Sequence, residues 1–329
     1  MSFPCLMVRR DESGTTRGVE TIAVEDLPPG DVLIEVACSS LNYKDALACQ
    51  GHPGVMQQSP HVPGIDAAGV VVESAAAAIQ PGDAVLVTGY DLGTTHWGGF
   101  ARYVRVPGEW VVPLPEGLTV DEAMSYGTAG FTAAQCVEAI QHSGIEPAAG
   151  EIVVTGATGG VGSLSIGILA KLGYQVVAVT GKPEQEKMLC QLGAKRILPR
   201  EEVQDTSNKP LLRARWAAAV DTVGGNTLAT LLRSTEHRGC VAACGLVAGT
   251  ELHTTVYPFI LRGVTLDGID SAQCPRKERL EIWGRLSGPW KLENLNQIVR
   301  SIKLSEVASE VEAMLAGNTF GRILVRPEI

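Results

Sequence analysis

No stretch of the 329-residue chain approaches the ~18 consecutive apolar residues that cross a bilayer, so no membrane span is expected. Positive charge is in deficit: 27 Lys and Arg face 36 Asp and Glu, a formal net charge of -9. This speaks against nucleic acid or an anionic membrane as the main partner, and any anionic ligand must find a local basic patch. The eight cysteines lack both the C-x-x-C spacing of a zinc site and the density of a disulfide scaffold. A reducing, cytoplasmic setting is therefore expected. Cys240 and Cys244 read as small hydrophobes in a buried strand rather than as metal ligands. The start of the chain, with Arg9, Arg10, Asp11 and Glu12 after a short apolar run, has no signal-peptide pattern. What remains is ordinary globular composition, 45% hydrophobic and 19% charged, at a length that predicts two domains.

The organising stretch is Val153-Val154-Thr155-Gly156-Ala157-Thr158-Gly159-Gly160-Val161-Gly162. It follows a β-branched run from Ile152 to Thr155 and opens a segment with Leu164, Ile168 and Leu172 four residues apart. The spacing predicts strand, glycine turn and helix, with Lys171 and Gly173 as the helix stop. The pattern is G-x-x-G-x-x-G rather than G-x-G-x-x-G, yet the same physics applies. One glycine bends the chain, one admits a pyrophosphate to the backbone and one lets helix pack on strand.

The end of the next strand, Gln175 to Thr180, selects the dinucleotide. NAD sites place an acid there to hold the ribose 2′-hydroxyl. Here the chain reads Thr180-Gly181-Lys182, a hydroxyl and a cation that suit a 2′-phosphate. Pro183 assigns Glu184 to the next helix, and Arg200, just beyond the short run Arg196 to Pro199, adds a second cation. NADPH is the expected cofactor; the competing reading of Lys182 is a solvated surface lysine.

Residues 1–125 carry short β runs, Asp31 to Cys38, Gly69 to Glu73, Ala84 to Thr88, Ala101 to Val106 and Trp110 to Pro113, separated by Pro-Gly turns. They predict a compact, partly open β-barrel. Residues 126–295 alternate strands and helices, which predicts an α/β doubly wound parallel sheet with its ligand at the strand C-terminal ends. Helices are expected at Asp121 to Met124, Phe131 to Ile140, Pro183 to Leu192, Thr227 to Thr235, Arg276 to Leu286 and Leu304 to Leu315.

Asn42-Tyr43-Lys44-Asp45, Pro63-Gly64-Ile65-Asp66, Trp97-Gly98-Gly99-Phe100-Ala101, Gly127-Thr128-Ala129-Gly130, the glycine turn, Asp221-Thr222-Val223-Gly224-Gly225 and Gly321-Arg322-Ile323 occur in that order. In that set the chain resembles the medium-chain dehydrogenase/reductase superfamily, in its quinone-oxidoreductase-like branch. Ser40 to Leu47, Ala243-Cys244-Gly245-Leu246, Pro258 to Val264 and Gly268-Ile269-Asp270-Ser271 are similar to the acrylyl-CoA reductase family within it. The resemblance implies a GroES-like catalytic domain, 1–125, completed by 296–329, and a Rossmann domain. It also implies NADPH-dependent reduction of an α,β-unsaturated thioester, with acrylyl-CoA the preferred substrate. A quinone or enal reductase and a non-catalytic NADPH-binding protein are the alternatives. A homodimer is the expected assembly.

Zinc-dependent members of that superfamily carry Gly-His-Glu where this chain has Gly64-Ile65-Asp66, and a cysteine cluster that it lacks. No metal is expected. Reduction must then rest on orientation and hydrogen-bond donors. The resemblance places Tyr43 beside the nicotinamide, as a positioning contact ahead of proton donor, with core packing as the ordinary alternative. Asn42 is the second catalytic candidate, able to donate to the carbonyl oxygen or merely to tie its own backbone. The cofactor contacts implied by the resemblance are Tyr43, Thr158, Gly159, Gly160, Val161, Thr180, Gly181, Lys182, Arg200, Leu246, Ile260, Ser271 and Arg322.

Overall fold

The computed structural model describes residues 1–207 and 209–328, which fall into two compact units. The first comprises Met1–Thr128, Ala272–Ser287 and Val299–Ile329, the second Ala129–Ser271 and Gly288–Ile298. In chain order the first seven strands are β1 (Ser2–Asp11), β2 (Gly14–Ala23), β3 (Val32–Leu41), β4 (Asp66–Ser74), β5 (Ala84–Thr88), β6 (Tyr103–Val106) and β7 (Val112–Pro113). Helix α1 (Tyr43–Cys49) follows β3, and α2 (Val120–His142) follows β7. Next come β8 (Glu151–Val154), α3 (Gly160–Lys171), β9 (Gln175–Val179), α4 (Glu186–Gln191), β10 (Ala194–Leu198), β11 (Trp216–Asp221), α5 (Gly225–Ser234) and β12 (Thr235–Ala243). The chain ends with α6 (Tyr257–Arg262), β13 (Thr265–Gly268), α7 (Arg276–Ser287), β14 (Val299–Lys303), α8 (Val307–Leu315) and β15 (Arg322–Arg326).

In the first unit a seven-stranded sheet runs β14-β15-β3-β4-β5-β7, with β6 on β3, beside the β1-β2 hairpin. Val32, Ile34, Val36, Val71, Val85, Val87, Val104 and Val106 close one core. A second core gathers Phe3, Met7, Leu41, Phe100, Ile302, Val311 and Ile323 from β1, β3, the segment before β6, β14, α8 and β15. β15 pairs antiparallel with the end of β3, Ile323 opposite Leu41 and Val325 opposite Ser39. A strand near the end of the chain is thereby set against the residues just before Tyr43.

In the second unit six parallel strands are ordered β10-β9-β8-β11-β12-β13, the doubly wound 3-2-1-4-5-6 arrangement. The central strands are mainly apolar, as in a sheet covered by helices: Val153, Val177, Trp216, Ala219 and Val241 share one core with Leu231 of α5.

Several expectations needed correction. Helix α7 belongs with the first unit, not with the 126–295 region. The β1-β2 hairpin, α1, α6 and β14 are additional elements. The two helices expected at Asp121 to Met124 and Phe131 to Ile140 are the parts of α2 on either side of Gly127, at φ 50 and ψ -154. A Cβ there would come within 2.5 Å of Asp66 Oδ2, 2.6 Å of Ser40 Oγ and 2.9 Å of Arg322 Nη2. Gly127→Ala is therefore expected to lower stability by at least about 1–3 kcal/mol, combining backbone strain with collision. Urea unfolding of the variant at wild-type stability would show that the break needs no glycine.

Candidate functional site

In the first unit the end of β3, the start of β4, the start of β15 and the break in α2 meet around the Asp66 carboxylate, which is fully buried. Ser40 Oγ donates to Asp66 Oδ2 at 2.5 Å and Asn42 Nδ2 at 2.8 Å. Thr128 donates twice, its backbone N–H at 3.0 Å and its hydroxyl at 2.6 Å to Oδ1. The N–H is available because α2 breaks one residue earlier. Arg322 is 2% exposed, and its guanidinium donates to the Ser125 carbonyl (2.9 Å), Asn42 Oδ1 (3.1 Å) and Ser40 Oγ (2.8 Å). Its Nη2 stands 4.0 Å from Asp66 Oδ2. Burial pulls the Arg322 pKa down, against the attraction of Asp66 and Asp45.

Asn42 caps α1 with an extended backbone (φ -120, ψ 163), and Tyr43 is the first helical residue, 39% exposed. Of the two expected catalytic residues, only Tyr43 presents a side chain outward. The Asn42 amide is engaged at both ends, its nitrogen on Asp66 and its oxygen on Arg322. Of the two readings of Asn42, a donor to the carbonyl oxygen or a structural tie, these bonds fit the second, a fixed part of the framework. Arg322, expected as a cofactor contact, lies in the same framework.

Asp45 completes it. Three residues into the helix, it accepts from the Asn42 N–H at 2.8 Å, and from the Ile65 and Gly64 N–H groups at 2.8 and 3.1 Å. Burial, then the neighbouring Asp66 charge, pushes Asp45 from its ordinary value of 3.8 up to about 7, against those donors. An acid whose folded value is raised stabilises fully below 3.8, and that contribution is lost as pH rises to about 7.

In the second unit the expected turn is built as read. Gly156 has φ 55, and a Cβ at Gly162 would run into the Gly156 carbonyl. Gly159 precedes α3 with an extended backbone, so the first N–H groups of the helix, from Gly160 and Val161, lack intrahelical acceptors. They form a ready anion site. Thr158 is buried in the turn. One residue missed as functional braces it: Asp221, buried at the end of β11, accepts from Thr155 Oγ1 at 2.7 Å and Gly224 N at 2.8 Å. Burial raises its pKa against those bonds.

At the end of β9, Thr180 Oγ1 accepts from Lys182 N at 3.0 Å, and Arg200 lies across Gly181, where a Cβ would meet its Nε at 2.5 Å. Burial first, and then the Arg200 charge, lowers the Lys182 pKa; Glu184 acts the other way. Two cations are held together beside a hydroxyl. Leu246 follows β12 and Ser271 follows β13, whereas Ile260 sits on α6; Leu246 and Ile260 are 58% and 69% exposed. Trp97 and Phe259 pack, partly buried, against the cores of the first and second unit respectively.

The Asp45 assignment is testable by replacement. Asp45→Asn removes the titration, so urea stability of the variant relative to wild type is expected to rise between pH 3.8 and about 7 and then level off. A difference independent of pH across that window would refute it.

Residues 28–116 match the alcohol dehydrogenase GroES-like domain, and residues 160–283 the family described as zinc-binding dehydrogenase. The second description raises zinc, and the residues present do not fit it. Ile65 offers no ligand atom, the Asp66 oxygens are occupied by donors, and among the described residues no three His, Cys, Asp or Glu could hold an ion. Over 321 residues, 98% of each chain, the protein is 46% identical to the probable acrylyl-CoA reductase AcuI of Escherichia coli strain K12. It is 45% identical over 325 residues, again 98% of each chain, to the putative quinone oxidoreductase YhfP of Bacillus subtilis strain 168. The YhfP crystal structure with NAD bound superposes at TM-score 0.96, covering 99% of both chains. The yhdH oxidoreductase of Salmonella enterica, in complex with NADP, superposes at TM-score 0.95 with 44% identity and 99% of both chains covered. The chain thus belongs to the medium-chain dehydrogenase/reductase superfamily and is one of its oxidoreductases, in the quinone-oxidoreductase-like branch that includes the acrylyl-CoA reductases.

Proposed function

We propose that the chain reduces the C=C bond of a short 2-enoyl-CoA thioester, acrylyl-CoA to propanoyl-CoA, with NADPH and without metal. The observation that carries the cofactor reading is the Thr180-Gly181-Lys182 edge with Arg200 laid across it, where an NAD site would hold an acid. NADP in the Salmonella relative supports it, and the thioester reading follows the likeness to AcuI. Bound on the glycine turn, the dinucleotide would supply a hydride for the β-carbon. The N–H groups at the start of α3 would hold its pyrophosphate, and Thr180, Lys182 and Arg200 its 2′-phosphate.

Negative charge then develops on the thioester oxygen, where a donor lowers the barrier, and a proton taken from solvent at the α-carbon completes propanoyl-CoA. Tyr43 is the exposed phenol at the start of α1, and Asn42 holds its backbone rather than donating itself. Asp45 is completely buried, so it holds the loop and does not serve as the acid. The assembly we propose is a homodimer: β13 is an unpaired sheet edge, and Leu246, Val247, Tyr257, Ile260 and Leu261 are exposed nearby in sequence. The eight free thiols fit a reducing cytoplasm.

Initial rates of NADPH loss with acrylyl-CoA, crotonyl-CoA and a simple quinone, repeated with NADH, decide the substrate. Reaction with the quinone alone would favour the YhfP-like alternative and refute the thioester. Replacing Lys182 or Arg200 by Ala is expected to remove a charged contact of about 1.5–3 kcal/mol, weakening NADPH by about 10- to 100-fold and NADH hardly at all. Equal effects on both would remove the 2′-phosphate assignment. Tyr43→Phe is expected to lower kcat by about 100-fold while leaving NADPH affinity in place; unchanged turnover would end its role.

A further inference from the structure

The Asp66 carboxylate is fully buried and is bonded by Ser40, Asn42 and Thr128. We infer that Asp66 is a positioning residue for Tyr43, acting through the Asn42 amide and supported by Thr128 and Arg322; this rests on the reading of Tyr43 given above. The amide is held in one sense only. Its nitrogen donates to Asp66 Oδ2 at 2.8 Å and its oxygen accepts from Arg322 Nη1 at 3.1 Å. Flipping it would set oxygen against carboxylate and N–H against guanidinium.

That fixed amide belongs to the residue immediately before Tyr43. Helix α1 is only seven residues long and too short to hold its own first turn in water. The direction of Tyr43 is therefore set from outside the helix, by Asn42 and by Asp45, whose carboxylate accepts the Asn42 N–H at 2.8 Å. Asp66 is the common partner. Thr128 anchors it through two donors, and these become available because Gly127 interrupts α2. Ser40 links the carboxylate to the guanidinium, donating to one and accepting from the other.

A role confined to holding the fold would make the effects of Asp66 and Tyr43 replacements independent. Positioning makes them overlap, which a double-mutant cycle reads directly. We expect Asp66→Asn to lower kcat by at least about tenfold with NADPH affinity kept, and to lower it hardly further when Tyr43→Phe is already present. The same fractional loss in both backgrounds, or a folded Asp66→Asn with wild-type kcat, overturns the proposal. If Asp66→Asn does not fold, Thr128→Ala takes its place in the cycle, and Thr128→Ser, which keeps both donors, is expected to recover the rate.

Should Tyr43→Phe alone leave kcat unchanged on every substrate, the functional reading of Tyr43 fails. The positioning claim is then decided without turnover by 19F spectra of 3-fluorotyrosine protein, with the Tyr43 line assigned by its loss in Tyr43→Phe. A line shifted or broadened in Thr128→Ala and restored in Thr128→Ser supports it. A line unmoved in both Asp66→Asn and Thr128→Ala overturns it.

Discussion

Two carboxylates and one guanidinium, Asp45, Asp66 and Arg322, are buried together in the first unit, each at most 2% exposed. An ion left unpaired in such a place costs several kcal/mol, more than most single contacts return. The neighbouring backbone is shaped by the need to satisfy them. β15 delivers Arg322 beside the end of β3, Gly64 and Ile65 turn their N–H groups onto Asp45, and α2 opens at Gly127 so that Thr128 reaches Asp66. The apolar cores fix where the strands run. The buried charges fix how the chain must bend at their ends.

The second unit solves the opposite electrostatic problem. Its interior is apolar and parallel, and Asp221, its one acid fully buried beside the turn, is satisfied by Thr155 and Gly224 from within. At the edge, by contrast, Lys182 and Arg200 approach closely enough for burial and mutual charge to depress Lys182. The first unit neutralises its charge internally, as a framework does. The second leaves cations and helix N–H groups facing outward, as an anion site does.

The second unit was far more legible than the first. Its signals are local: a β-branched run, glycines three apart and a hydroxyl-cation pair occupy contiguous residues, so the turn and the Thr180-Gly181-Lys182 edge followed from spacing alone. The Asp66 framework joins residues 40, 42, 66, 128 and 322, and no local pattern links them. Arg322 was named through likeness as a cofactor contact and Asn42 for its amide, whereas in the structure both side chains are engaged by buried partners. The β1-β2 hairpin escaped notice because β2 is nowhere fully buried and lacks the apolar alternation of a half-buried strand. Helix α1 escaped because seven residues are too few for helical periodicity.

The segment Gly64-Ile65-Asp66 shows what the framework does for the chemistry. A histidine at Ile65 and a free carboxylate at Asp66 would offer ligands to a cation; here the first has no ligand atom and the second is filled by donors. On the proposed reaction, the developing negative charge is then met by hydrogen bonds already in place. Their value depends on arriving at the right geometry without reorganisation, which a short, half-exposed helix cannot guarantee by itself. Rigidity imported from a buried carboxylate meets that requirement, and on the proposed reading it gives Asp66 a consequence for the Tyr43 phenol through Asn42.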